Sequence, residues 1–79
     1  MSDNNVLQDC VRASLERYLE DLDGAEPRGM WDMVMQCVER PVLEVAMARA
    51  GGNQSRASEM LGITRNTLRK KLLAHRLLA

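Results

Sequence analysis

A single glycine, Gly62, separates two short stretches that each carry their own helix signals, and this constrains the chain more than any other feature. Upstream, Asn53 is a good helix cap, and Gln54-Ser55-Arg56-Ala57-Ser58-Glu59-Met60-Leu61 predicts a short third helix. Downstream, Ile63 stands where a staple residue would, Thr64 is the expected N-cap, and Arg65-Asn66-Thr67-Leu68-Arg69-Lys70-Lys71-Leu72 predicts a fourth helix. Leu68 and Leu72, four apart, mark its inward face. Two short helices joined by a tight glycine turn form a helix-turn-helix, and here the second helix holds most of the basic charge. That is the layout by which a recognition helix is offered to the DNA major groove.

The net charge of the whole chain is zero, which alone argues against a nucleic-acid binder. Its distribution reverses that conclusion. Residues 1–52 hold five basic and ten acidic residues, a net −5; residues 53–79 set Arg56, Arg65, Arg69, Lys70, Lys71 and Arg76 against Glu59 alone, a net +5. Such asymmetry points to a basic reading module on an acidic scaffold. With one Trp, one Tyr and no Phe, the apolar content comes from Leu, Val, Ala and Met, which favours helices over sheets.

The acidic part predicts two helices. After Asn4 and Asn5, read as caps, Leu7, Val11, Leu15, Tyr18 and Leu22 recur at helical spacing, with Arg12–Glu16 and Arg17–Asp21 as i,i+4 pairs on the wet side. Asp23-Gly24 ends this helix. The second should run from about Met30 to Ala50, apolar on most of its circumference, with Asp32, Gln36, Glu39 and Arg40 as a narrow polar stripe. Pro41 lies inside it and predicts a kink, or a break into two helices. A helix this apolar needs cover that one amphipathic partner helix cannot supply. The expected architecture is therefore all-α, four helices per chain. An intertwined homodimer core is built from the first two helices (residues 1–52), with Leu15, Trp31, Val34, Val38, Val42 and Val45 inside it. The helix-turn-helix (residues 53–79) completes one compact domain. A three- or four-helix monomer with an exposed patch is the competing arrangement.

Within the recognition helix, Arg65 is the expected base reader, because its planar fork can donate to guanine O6 and N7 together. Arg69 reaches a further base or a phosphate. Thr64, Asn66 and Thr67, with the N–H groups of the helix start, suit phosphate oxygens or base edges, and Thr64 has capping as its plainer role. Lys70 and Lys71 are expected at phosphates, carrying affinity rather than sequence choice. Asn53 and Ser55 are placed to grip the backbone beside the groove. Arg56 has an alternative use, pairing with Glu59 or Glu44, and His75 is read as a surface residue.

Cys10 and Cys37 are isolated thiols that suit a reducing cytosol, and with His75 the single histidine there is no metal-ligand spacing. No catalytic constellation, cofactor motif or small-molecule site is read, and no apolar run approaches a membrane span.

The segment from Pro41-Val42-Leu43-Glu44 through Gly52-Asn53-Gln54-Ser55-Arg56-Ala57 to Arg65-Asn66-Thr67-Leu68-Arg69-Lys70-Lys71-Leu72 closely resembles the bacterial Fis (factor for inversion stimulation) family. Similarity reaches back to Val6, through Leu7-Gln8-Asp9 and Tyr18-Leu19 to Leu22-Asp23-Gly24. The resemblance implies an intertwined homodimer whose paired helix-turn-helix units sit closer than one DNA turn, so that DNA must bend to seat both. It implies Arg65 at a guanine near each half-site end, and Asn53, Ser55, Thr67, Arg69, Lys70 and Lys71 on backbone or flanking DNA. Thr64 replaces an Asn of the family pattern, Leu73 and Ala74 replace lysines, and Gly51 replaces a basic residue before the turn. These departures predict weaker wrapping and a smaller bend. Members that stimulate site-specific inversion carry a β-hairpin arm before the first helix; only Met1–Asn5 stand there in this sequence, which predicts DNA binding without recombinase activation.

The function expected from the sequence is a sequence-tolerant DNA-binding and DNA-bending homodimer of the cytoplasmic nucleoid, acting in chromosome organisation and transcription. Its partners are double-stranded DNA, a second copy and, as a further candidate, RNA polymerase. A DNA-binding and dimerisation module of an enhancer-binding regulator is the alternative, and a purely structural helical dimer is a third.

Overall fold

The computed structural model describes residues 3–78, and these form four α-helices: α1 (Asp3–Asp21), α2 (Met30–Arg49), α3 (Gln54–Leu61) and α4 (Arg65–Ala74). There is no strand among the described residues. The chain divides into two units, one holding α1 and reaching Met30, the other running from Trp31 onward.

In the first unit, α1 is described from Asp3, and Asn4 and Asn5 lie inside it and do not precede it as caps. Asn costs at most about 0.7 kcal/mol within a helix. Arg12 reaches back to Asp9 at 2.8 Å and not forward to Glu16. The expected apolar face is present: Val11, Leu15, Tyr18 and Leu22 are half-buried, while Leu7 stays exposed.

In the second unit, α2 runs through Pro41 as one helix, so of the kink or break expected there the break does not occur. Proline deprives the Cys37 carbonyl of one intrahelical bond. Leu43, Ala46 and Ala50, on the turns just after it, are all buried and hold the helix in place. Leu43, Ala50, Ala57, Leu68 and Leu72 make a small core, with Met47, Leu61, Ile63, Leu77 and Leu78 packed round it. Ala57 has no exposed surface, and a residue so small lets α3 approach its neighbours closely. Cys10 and Cys37 are both exposed, so neither serves as a buried small hydrophobe within the chain.

The turns are held by local hydrogen bonds. Gly62 takes the left-handed conformation (φ 74, ψ 30); its N–H donates to Glu59 O at 3.3 Å and Ser58 O at 2.9 Å, and Ile63 N–H donates to Ser58 O at 3.1 Å. This double closure of a helix end needs a positive φ at its centre, which glycine adopts without a Cβ clash. The same pattern ends α2, where Gly51 N–H reaches Ala48 O and Gly52 N–H reaches Met47 O.

Candidate nucleic-acid interface

The two helices of the C-terminal pair are capped by the residues expected to cap them. Asn53 has extended backbone and its Oδ1 accepts from Arg56 N–H at 3.1 Å. Thr64 Oγ1 accepts from Thr67 N–H at 3.1 Å, and its hydroxyl donates to Thr67 Oγ1 at 2.9 Å. The hydroxyl chain leaves Thr67 Oγ1 with its own proton to donate outward. Thr64 therefore fixes the start of α4, whatever else it touches.

From that start the side chains of α4 sort by the helical repeat. Leu68 and Leu72 are fully buried. Arg65, Asn66, Arg69 and Lys70 are all exposed. Arg65 and Arg69 are four apart and share one face, with Asn66 and Lys70 forming the adjoining row. Arg65 Nη1 donates to Ser55 Oγ at 3.3 Å, which ties the first residue of α4 to the first turn of α3. By helix geometry the N–H groups of Arg65 and Asn66 have no intrahelical acceptor, and they stand at the positive end of the helix dipole. This end of the pair presents cations, hydroxyls and N–H donors together, a set suited to phosphate oxygens and guanine edges.

Lys71 departs from this group. It lies on the face of α4 that turns to α2, and its Nζ donates to Glu39 Oε2 at 2.7 Å. His75 Nε2 meets the other oxygen of the same carboxylate, Glu39 Oε1, at 2.8 Å, with only 12% of the His75 side chain exposed. His75 is thus half-buried and engaged, not a surface residue, and Glu39 belongs to a contact with α4, not to a solvated stripe. Hydrogen bonds from Lys71 and His75 hold the Glu39 carboxyl below its ordinary value of 4.5. The ionised carboxylate can only accept, so His75 donates from Nε2. Arg40 Nη1 adds a bond to His75 O at 2.6 Å, satisfying a carbonyl at the C-terminal end of α4. The roles of Glu39, Arg40 and His75 are not legible in the sequence because each pairing joins positions more than 30 apart, and no local signal announces it.

Arg56 forms no ion pair with Glu59 or Glu44 among the described residues; the one partner of Glu44 is Arg40, at a long 3.9 Å. Of the residues assigned to a dimer core, Trp31, Val38, Val42 and Val45 are exposed on α2, while Val34 on α2 and Leu15 on α1 are half-buried. Met35, also exposed, completes a row at positions 31, 35, 38, 42 and 45, alternating steps of four and three.

The profile of a family described as "Bacterial regulatory protein, Fis family" matches residues 35–75, from the middle of α2 to His75. The chain belongs to the Fis family. It is 56% identical over 72 residues to a Fis-like DNA-binding protein of Neisseria meningitidis serogroup A, covering 91% of each chain. A Fis-like DNA-binding protein of Ralstonia nicotianae is 54% identical over 74 residues, which is 94% of this chain and 96% of that one. The DNA-binding protein Fis of Mannheimia haemolytica is 46% identical over 69 residues, covering 87% of this chain and 70% of its own. The Fis-family segment thus contains both the helix-turn-helix and the Glu39 cluster.

Proposed function

We propose that this Fis-family chain is a DNA-binding and DNA-bending homodimer acting in nucleoid organisation and transcription regulation. One observation carries the reading: the exposed side of α4 gathers Arg65, Asn66, Arg69 and Lys70 behind a Thr64 cap, beside the buried Leu68 and Leu72. Arg65 reads a guanine edge. Asn53, Ser55, Thr67, Arg69 and Lys70 grip phosphates, and the N–H groups at the start of α4 add neutral donors.

The dimer is supported by the row Trp31, Met35, Val38, Val42 and Val45. Steps of four and three place these residues along one seam of α2, as in helices that pack against a mate. Trp31 is 75% exposed and Val45 69% exposed in the single chain, and a second copy would remove both from water. Two copies joined there offer two recognition helices, and DNA bends to meet both.

The test is a salt titration of DNA affinity. With about eight phosphates neutralised per dimer, log affinity should fall against log salt with a slope of about −7. A chain that binds no DNA at low salt would refute the reading.

A further inference from the structure

We infer that Glu39 is the positioning residue of the recognition helix: one carboxylate on α2 grips two side chains a turn apart, Lys71 on α4 and His75 at its C-cap, and fixes the rotation of the DNA-reading face. The inference rests on the DNA-binding reading above. Glu39 Oε2 takes Lys71 Nζ at 2.7 Å and Oε1 takes His75 Nε2 at 2.8 Å, so both oxygens are used by one helix. Arg40, the next residue of α2, holds the end of the same helix through His75 O at 2.6 Å.

The need for such a device follows from the core. Leu68 and Leu72 are the only fully buried side chains of α4 among the described residues, and apolar burial is non-directional. Two leucines set how deeply α4 sits and which side turns inward, but leave a margin of rotation about its own axis. Hydrogen bonds are directional, and a two-oxygen grip on positions 71 and 75 removes that freedom. Arg65 and Arg69 lie away from the gripped face, so a rotation of α4 moves them directly across a bound groove. Lys71 thereby sets geometry and not phosphate affinity.

Two conservative variants separate positioning from charge. Glu39→Asp keeps the charge but is one methylene too short to hold both partners. Glu39→Gln keeps the reach and loses the charge: its Oε1 accepts from Lys71 Nζ while its amide N–H donates to His75 Nε2 in the other tautomer of the ring. Binding is measured by gel shift on an AT-centred duplex with guanines at both half-site ends and on a scrambled duplex, with helix content and thermal midpoint recorded for each protein. Positioning predicts that Glu39→Asp loses about fivefold in affinity for the matched duplex only, a loss equal to about 1 kcal/mol, while Glu39→Gln keeps the native preference. A Glu39 that acts only as a negative charge near DNA predicts the reverse: Glu39→Asp behaves as native, and Glu39→Gln binds both duplexes more tightly by one common factor. That result overturns the inference and leaves DNA binding intact. Native protein that binds neither duplex would refute the underlying reading instead.

Discussion

Arg65 and Ser55 touch across the turn of the helix pair, with the guanidinium Nη1 3.3 Å from the hydroxyl oxygen. Ten residues separate them in sequence, and Gly62 brings them together by letting the chain reverse in a single left-handed residue. The contact places the side chain proposed to read a base against one proposed to hold a phosphate. Ser55 spends a lone pair on Arg65 and keeps its proton for an outside acceptor.

Ser55→Ala should therefore lower discrimination as well as affinity. The expected loss is about two- to fivefold in the preference for a guanine-ended duplex over a scrambled one, in keeping with an exposed charge-assisted hydrogen bond. Competition gel shifts read this ratio. Equal losses on both duplexes would reduce Ser55 to a backbone contact.

Thr64→Ala removes the acceptor for Thr67 N–H and the partner of the Thr67 hydroxyl. The stability loss should be about 1 kcal/mol, seen as a thermal midpoint lower by about 4–8 °C for a domain of this size. Thr64→Ser should retain most of the stability, since its hydroxyl can take the same place. Midpoints by circular dichroism check both, and an unchanged Thr64→Ala protein would show that the cap contributes nothing.

Val42→Asp tests the seam on α2. Val42 is 45% exposed in the single chain, so an aspartate there costs a monomer little. In a dimer it would bury an unpaired charge. Sedimentation should show native protein at twice the chain mass of 8.9 kDa and Val42→Asp shifted toward one chain mass. Equal masses for the two proteins would place the dimer contact elsewhere.

The Glu39 cluster gives a pH dependence with a defined sign. The folded-state carboxyl titrates below its ordinary value of 4.5 because Lys71 and His75 donate to it. A group depressed on folding contributes stability that is full above its unfolded value and is lost as pH falls through its folded value. Other carboxylates add their own dependence, so the readout is a difference. Between about pH 6 and about pH 3 the native midpoint should fall more steeply than that of Glu39→Gln. Parallel curves would mean that the cluster adds no proton-linked stability.

Local chemistry made the C-terminal pair legible. Asn53, Gly62 and Thr64 each carry a backbone preference that acts within three residues, and each occupies the role its chemistry favours. The spacing of Leu68 and Leu72 likewise exposed the inward face of α4. At Pro41 the same local logic left a kink and a break both open; one missing hydrogen bond weighed less than the buried residues that follow it, and the helix is unbroken. That logic misled at Asn4 and Asn5 because a cap-competent residue is also tolerated within a helix. Glu39, Arg40 and His75 were illegible for a different reason. Helical periodicity shows that a polar residue leaves an apolar face, but not which distant side chain it meets.

The measurement that bears most directly on DNA reading by α4 is a gel-shift titration of the native chain and Arg65→Ala. It uses an AT-centred duplex with guanines at both half-site ends and a scrambled duplex. Native protein should prefer the first, and Arg65→Ala should lose that preference, giving up about 1–3 kcal/mol of discrimination while still binding both weakly through Arg69 and Lys70. A variant that keeps the native preference, or a native chain that binds neither duplex at low salt, would contradict it.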